Sequence, residues 1–192
     1  MVPNLNTSML DPLSFSHGQT QSKLWLCEQL EPYLPNNAVV AVLGCWHNLQ
    51  GFLLVSRDKN RYQSVLGLDI DPSAIDGANQ LCEGFMIGDD SRIRNEVQDV
   101  NDYNFQGFHA VINCSVEHMS NEWFLDIDPN VIVCIQTSNV ADSKEPWFIT
   151  NPTASFEEFR NKFPMSETMF EGVRSFDYGH FSYERYMIIG KR

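Results

Sequence analysis

Four short runs of apolar residues, each closed by a glycine or by polar side chains, dominate the hydrophobicity pattern of the chain. They are AVVAVLG at 38–44, SVLGLDIDP at 64–72, HAVINCS at 109–115 and NVIVCIQTS at 130–138. Continuous apolar runs of this length, bounded by turn residues, are typical of strands that are buried on both faces of a sheet. The pattern therefore predicts a sheet with helices on both sides.

The segments between these strands show helical patterns. Apolar residues recur at near-helical spacing over 18–34, and Pro35 stops that helix. Ser73 lies near the N-cap of a helix that follows the second strand. The pattern also predicts a short helix within 116–128 and an amphipathic helix over 155–163.

Three weaker runs complete the predicted fold. NEVQDV at 95–100 predicts a half-polar third strand, and the runs at 167–176 and 182–190 are close enough to pair as an antiparallel hairpin. Strands that alternate with helices predict an α/β protein: a single-domain Rossmann-like, doubly wound, mostly parallel sheet with a C-terminal antiparallel hairpin strand. Residues 1–17 lack a period and are expected to form an irregular N-terminal arm before a domain that spans 18–192.

Composition narrows the classes of partner. The chain of 192 residues has 25 acidic and 13 basic side chains and a net charge of −12, which disfavours nucleic acid, because phosphate binding depends on Lys and Arg. No run is long enough to cross a bilayer and no secretory leader is recognisable, so a cytoplasmic location is expected. Five scattered cysteines without a CxxC pair predict reduced, mostly buried thiols rather than disulfides or a metal site.

Polar side chains follow each predicted parallel strand, at the edge where doubly wound sheets bind ligands. Gly44 permits a tight turn after the first strand, and Asp69 after the second is a candidate to accept both hydroxyls of a ribose. A helix cap is the competing interpretation for Asp69 and for Asp71. Asp99 after the third strand is a candidate to accept a hydrogen bond from an adenine amino group, with the acids at 89–90 as alternatives.

The fourth strand ends in the polar sequence NCSVEH at 113–118. Asn113 is a candidate to position a substrate amine or hydroxyl through its carbonyl oxygen, and His118 is the natural general base because histidine titrates near neutrality. Glu117 is a candidate to orient His118. Alternatively, Glu117 and His118 form the polar first turn of a helix whose dipole the glutamate satisfies.

Two further polar groups follow the last predicted strands. The residues at 136–139 either line a substrate pocket or form a turn. Tyr183 and Arg185 are predicted on one face of the final strand and Tyr186 on the other, with packing as their expected role.

The order of these motifs resembles that of class I S-adenosylmethionine-dependent methyltransferases. It is more narrowly similar to a methyltransferase-like family common in phages and bacteria, and the resemblance covers nearly the whole chain. Five short motifs carry it: GCW at 44–46, LDIDP at 68–72, QDV at 98–100, NCSVEHM at 113–119 and YERYM at 183–187.

The resemblance implies S-adenosyl-L-methionine as the cofactor and a small molecule or a protein side chain as the methyl acceptor. Gly44 and Trp46 would approach the methionine part of the cofactor. Asp69 would hold the ribose and Asp99 the adenine, while 113–118 would form the floor between cofactor and substrate.

The resemblance also suggests a partner for the cofactor carboxylate. Lys23 or Gln19 would neutralise that group, with an ordinary solvated helix start as the alternative. Trp46-His47-Asn48 stands where many members of the class have a glycine-rich loop. This departure motivates two other hypotheses: a non-catalytic structural or binding module, for example one associated with a phage, and an enzyme that transfers a different group from the same cofactor.

Overall fold

Seven strands form one sheet in the computed structural model, which describes residues 10–83, 92–140 and 149–192. In chain order they are β1 (Ala38–Leu43), β2 (Tyr62–Asp69), β3 (Ile93–Val97), β4 (Ala110–Asn113), β5 (Ile132–Ser138), β6 (Glu167–Asp177) and β7 (Ser182–Lys191). The spatial order is β3-β2-β1-β4-β5-β7-β6, and among the described strands β7 alone runs in the direction opposite to the other six. The predicted mostly parallel α/β sheet with an antiparallel C-terminal strand is confirmed.

The helices cover both faces of this sheet. The α-helices of the described ranges are α1 (His17–Leu30), α2 (Leu49–Arg57), α3 (Pro72–Glu83), α4 (Glu122–Leu125) and α5 (Phe156–Lys162). Residues of α1, α2 and α3 join one core cluster with Val40 and Val42, whereas α4 and α5 join a second cluster with Ala41 and Leu43. Alternate residues of β1 thus enter opposite cores, which explains why its sequence is apolar without interruption.

Three predicted elements differ in extent. The first helix ends at Leu30, and a 3₁₀ turn with Pro32 near its start follows over Glu31–Tyr33. The third strand lies at Ile93–Val97, two residues earlier than predicted. The helix expected within 116–128 is only a 3₁₀ turn at Val116–His118 and the single-turn α4.

The cysteines are free thiols, as predicted, and four of the five are buried. Burial raises the pKa of the Cys27 thiol to about 12, so this side chain behaves as a small apolar group. Within the described ranges, no cluster of His, Cys, Asp and Glu has the arrangement of a metal site. No helix in the part of the chain that the structure describes has the length and apolar character needed to cross a membrane.

Candidate functional site

A cavity of about 860 Å³ lies at the carboxyl ends of β1, β2 and β4, where doubly wound sheets bind their ligands. Its walls come from the segments that follow these strands and from α1 and β7. Concave sites of this size at this position are typical of small-molecule binding. The cavity is therefore the candidate functional site.

The turn after β1 is built from left-handed residues rather than from a run of glycines. The backbone φ angle is +53° at Gly44, +50° at Trp46 and +48° at Asn48. A Cβ at position 44 would lie 2.7 Å from Met119 Cε and 2.9 Å from Ser115 Cβ, so glycine is required there. Asparagine tolerates the left-handed region, but tryptophan rarely adopts it. Trp46 therefore needs a restraint from outside the turn.

Asp69 supplies this restraint from the end of β2. Its Oδ2 accepts a hydrogen bond from the Trp46 N–H at 2.8 Å, and its Oδ1 accepts one from the Asp71 N–H at 3.1 Å. The carboxylate is half-buried and lines the cavity. Because a carboxylate has further lone pairs, Asp69 can hold the turn and still accept hydrogen bonds from a ligand.

Asp71 has a different role, at the start of α3. Its Oδ1 accepts hydrogen bonds from both the N–H and the Oγ–H of Ser73, each at 2.8 Å, and Pro72 occupies the first helical position. These hydrogen bonds lower the pKa of Asp71. The helix-cap interpretation thus describes Asp71, which is exposed and lies outside the cavity wall.

The bulky residues after Gly44 have structural roles of their own. The Trp46 ring stacks on His47 with 5.4 Å between centroids. The Nε2 of His47 accepts a hydrogen bond from the Asp11 N–H at 3.1 Å, so its Nδ1–H donates to the Ala74 carbonyl at 3.3 Å. His47 therefore ties the segment before α1 to α3, and no glycine-rich loop is needed to shape this turn.

Asp99 lies two residues beyond β3 and lines the cavity. It caps a 3₁₀ turn, because its Oδ1 accepts hydrogen bonds from the Asn101 N–H at 2.9 Å and from the Asn101 amide at 3.0 Å. The carboxylate is exposed, so its other oxygen can accept a hydrogen bond from a ligand. The alternative acids, Asp89 and Asp90, lie outside the described residues.

Asn113 ends β4 and is fully buried beneath the cavity rather than on its wall. Its Oδ1 accepts a hydrogen bond from the Ser115 N–H at 2.9 Å, and its amide donates to Met119 Sδ at 3.2 Å. Ser115 Oγ–H donates in turn to the Gly44 carbonyl at 2.8 Å. These contacts join the turns after β4 and β1, while a direct contact of Asn113 with cofactor or substrate stays a prediction.

Glu117 and His118 occupy the 3₁₀ turn after β4 and both line the cavity. His118 is exposed, whereas Glu117 is buried with its Oε1 3.6 Å from Arg185 Nη1 on β7. The other carboxylate oxygen of Glu117 has no hydrogen-bond partner within the described ranges. Arg185, for which the sequence indicated only packing, is therefore the ionic partner of a predicted catalytic residue.

Lys23 reaches the same region from α1. Its ammonium donates a hydrogen bond to Gln19 Oε1 one turn earlier, and both residues line the cavity. Burial lowers the pKa of Lys23, and the charge of Arg185 lowers it further against the opposing effect of Glu117. Lys23, Arg185 and Glu117 thus form one electrostatic group that draws on α1, β7 and the segment after β4.

The structure brings most of the predicted site residues to one cavity. They are Lys23, Gly44, Trp46, Asp69, Asp99, Glu117 and His118. Sequence reasoning missed Gln50, whose amide donates to Cys27 Sγ at 3.1 Å while its buried carbonyl has no partner in the part of the chain that the structure describes. The signal for Gln50 and Arg185 was a large polar side chain inside an otherwise apolar helix turn or strand.

Of the polar residues at the end of β5, one lines the cavity and two others form hydrogen bonds with neighbouring elements. Ser138 lines the cavity. Gln136 is fully buried and its amide donates to the Ser22 carbonyl at 2.9 Å. Asn139 accepts a hydrogen bond from the Glu184 N–H at 2.8 Å and so extends the pairing with β7. Only the first of these three is placed to contact a ligand directly.

Solved methyltransferase structures share this fold at low sequence identity. Geranyl diphosphate C-methyltransferase from Streptomyces coelicolor A3(2), in complex with Mg²⁺, geranyl diphosphate and S-adenosyl-L-homocysteine, superposes with a TM-score of 0.65 at 13% identity, covering 91% of this chain and 77% of that one. Magnesium protoporphyrin IX methyltransferase from Synechocystis PCC 6803, with bound S-adenosylhomocysteine, gives 0.64 at 13%, covering 91% and 84%. The MccD protein gives 0.64 at 12%, covering 88% and 96%.

By sequence, the chain matches no described protein family and no curated protein. The structural likeness therefore establishes the fold, and membership of the narrower phage and bacterial family stays a prediction.

Proposed function

We propose that this protein is an S-adenosylmethionine-dependent methyltransferase that acts on a small-molecule or protein acceptor. The observation that carries the proposal is the distribution of charge around the cavity. Asp69 and Asp99 follow β2 and β3 on one side of β1, whereas Lys23 lies with Arg185 of β7 on the other. Solved proteins of this fold hold S-adenosylmethionine or S-adenosylhomocysteine.

The residues present fit the polar groups of this cofactor. Asp69 offers acceptors to the ribose hydroxyls while it holds the turn through Trp46. The exposed carboxylate of Asp99 suits the adenine amino group, and the Lys23 ammonium suits the cofactor carboxylate. Gly44 keeps the turn narrow, since any side chain there would strike Met119.

The chemistry asks little of the protein beyond alignment and proton removal. S-adenosylmethionine supplies a methyl group bonded to a sulfonium sulfur, and the thioether that departs is an excellent leaving group. The protein must hold the acceptor in line and, for an O–H or N–H acceptor, remove its proton. We assign proton removal to His118, which is exposed at the cavity wall. Asn113 and Glu117 act as positioning residues, through Ser115 and Arg185 respectively.

A small-molecule acceptor is the better-supported class. The cavity of about 860 Å³ is within the usual range for small-molecule sites. The solved geranyl diphosphate methyltransferase also holds a small-molecule substrate. The net charge of −12 disfavours nucleic acid. The free, mostly buried thiols suit a reducing compartment, and we place the reaction in the cytoplasm.

Calorimetric titration with S-adenosylhomocysteine tests the cofactor assignment through two neighbouring acids. Asp69→Asn removes the charge that faces the ribose and weakens the bond to the Trp46 N–H, so affinity should fall by about tenfold or more. Asp71→Asn is the matched control, because asparagine caps helices as well as aspartate does. It should leave the affinity unchanged.

Turnover separates the proposed function from its alternatives. The protein should convert S-adenosylmethionine to S-adenosylhomocysteine when a fractionated metabolite extract is added, and the methyl label should appear in one product. Cofactor binding without turnover on metabolite or protein fractions would favour a non-catalytic module. A product that carries another part of the cofactor would favour a different transfer reaction, and absence of binding would refute the proposal.

A further inference from the structure

Arg185 is a buried cation that uses little of its hydrogen-bonding capacity on the described residues. It is 6% exposed, it lines the cavity, and its Nε has no hydrogen-bond partner among those residues. Its ionic contact with Glu117 spans 3.6 Å, which is longer than a hydrogen bond. The guanidinium carbon also lies 5.8 Å from the centre of the Tyr183 ring. A guanidinium carries five N–H donors, and buried donors are normally satisfied.

The charges around Arg185 do not balance within the described residues. Lys23 adds a second cation to the same region, while Glu117 supplies the opposing carboxylate. Arg174 lies directly opposite Arg185 on β6, although its own guanidinium donates to the Gln21 carbonyl at 3.4 Å. One buried and one half-buried cation that share a single carboxylate are unfavourable unless an anion enters. This surplus of positive charge is notable in a chain whose net charge is −12.

We propose that Arg185 binds an anionic group of the methyl acceptor, a carboxylate or a phosphate, at the β7 side of the cavity. The planar fork of arginine matches both groups in a bidentate manner. Tyr183 stacks near the guanidinium and limits its orientation. Glu117 opposes it from the segment after β4 and holds it while the site is empty of substrate. The proposal rests on the methyltransferase function, because it assigns one cation of the cavity to the cofactor carboxylate and the other to an anionic group of the methyl acceptor.

The two cations come from different elements. Lys23 lies on α1 beside Gln19, and we assign it to the cofactor carboxylate. Arg185 lies on the antiparallel strand β7, beyond β5 in the sheet order, and we assign it to the acceptor. An acceptor held there by its anionic end would have its nucleophile free to approach His118, which lines the same cavity.

Titration of the protein with inorganic phosphate and with acetate, followed by the NMR signal of the arginine Nε–H groups, tests the anion site. The signal that is lost in Arg185→Gln identifies Arg185. Phosphate or acetate should shift this signal in the wild-type protein saturated with S-adenosylhomocysteine. Other resonances of the site should report a loss of anion affinity of about tenfold or more in Arg185→Gln.

Three further variants distinguish a loss of anion binding from a loss of folding. Glu117→Gln removes the competing carboxylate and should bind the anions more tightly than the wild type. The double variant removes Arg185 together with its carboxylate partner, so it should fold and still fail to bind the anions. Arg174→Gln is the matched control, because Arg174 faces the same strand pair but does not line the cavity. It should bind as the wild type does.

Parallel titrations with S-adenosylhomocysteine show whether Arg185 binds an anionic group of the acceptor or the carboxylate of the cofactor. Arg185→Gln should retain cofactor affinity, whereas Lys23→Met should lose it. If Arg185→Gln weakens cofactor and phosphate binding alike, Arg185 holds the cofactor carboxylate and the acceptor assignment is wrong. Equal anion affinity in wild type and Arg185→Gln would also overturn it. If the wild type binds phosphate through Arg185 but no cofactor, the methyltransferase function fails while the anion site stands.

Discussion

Lys23 is the residue at which ligand binding and folding stability oppose each other most directly. Its ammonium is placed to meet an anion in the cavity, yet burial lowers its pKa below the ordinary value of 10.5. A lowered pKa means that the folded protein disfavours the charged form relative to the unfolded chain. Such a group is retained for its function rather than for stability.

Lys23→Met should therefore stabilise the protein while it weakens cofactor binding. The unfolded chain holds the Lys23 proton more tightly, so wild-type stability rises with pH between the lowered pKa and 10.5. Methionine removes the penalty, so the free energy of unfolding should increase at about pH 7, and this gain should shrink as the pH approaches 10.5. Chemical denaturation across this range measures both effects.

Lys191→Met provides the comparison for this prediction. Lys191 is half-exposed, and its ammonium lies 3.0 Å from Glu167 Oε2, so its charge is paired at the surface. Lys191→Met should therefore give no increase in the free energy of unfolding that becomes smaller as the pH rises. A Lys23→Met protein that is less stable than the wild type at every pH would contradict the prediction that the buried charge of Lys23 lowers folding stability.

The two basic residues of the cavity also show what single residues reveal in sequence. Lys23 was a candidate because the polar segment that contains it is similar to one in the family that the chain resembles. Arg185 was assigned to packing, because strand alternation gives its face but not its neighbours. Its neighbours follow from tertiary structure: Glu117 meets it only because β7 is inserted between β5 and β6. A periodic pattern contains no information on such a distant pair.

At the scale of elements, the turn between β1 and α2 needs a glycine only at Gly44 and is otherwise held by side chains. Asn48 adopts φ +48°, its Oδ1 accepts a hydrogen bond from the Gly51 N–H at 3.0 Å, and its amide donates to Asn95 Oδ1 at 2.7 Å. It therefore sets the helix start and joins the turn to β3. Apolar runs predicted the strands on either side, but a turn held by such contacts has no simple sequence signature.

Substitutions at Asn48 should separate backbone strain from lost hydrogen bonds. Alanine and glycine both remove the contacts to Gly51 and Asn95, but only alanine retains a Cβ in the left-handed region. Asn48→Ala should therefore be less stable than Asn48→Gly by about 1 to 2 kcal/mol, and both should be less stable than the wild type. Equilibrium unfolding in urea gives these differences.

Asn37 offers the matched position, because it has φ +60° but an exposed side chain. Its alanine and glycine variants should differ by a similar amount. Asn37→Gly, however, should match or exceed wild-type stability, since it relieves strain without removing a buried contact. If Asn48→Gly were as stable as the wild type, the hydrogen bonds of Asn48 would not hold the turn.

The segment after β4 shows why one predicted element failed. A helix was expected within 116–128, but the structure has a 3₁₀ turn and a single α-helical turn there. Asn113 accepts the Ser115 N–H, and the Glu117 carbonyl accepts the N–H groups of Thr150 and Asn151 at 2.9 and 3.0 Å. Side chains and a later segment thus take the backbone partners that a continuous helix would have used.

At the scale of the whole molecule, the sheet order explains both what the sequence predicted and what it did not. Alternating strands and helices imply a parallel sheet, and this sufficed to place the acids after β2 and β3 at one edge with Gly44. The position of β7 depends on which sheet edge the hairpin joins, and local pattern does not determine that choice. Sequence reasoning therefore did not identify Tyr183 and Arg185, the residues that β7 contributes, as part of the cavity.

The net charge of the molecule predicts that polyanions are repelled, whereas the cations inside the cavity predict that small anions bind. A net charge of −12 repels an extended phosphate backbone out to about one Debye length, roughly 10 Å at 0.1 M salt, whereas Lys23 and Arg185 act at contact distance inside the cavity. Short duplex DNA and single-stranded RNA should show no binding by fluorescence anisotropy, and lowering the salt concentration should not induce it, because weaker screening strengthens the repulsion. A nucleic-acid-binding protein would instead gain affinity as salt falls. Binding that strengthens at low salt and is lost in Arg185→Gln would place a nucleic acid phosphate in this cavity and change the acceptor class.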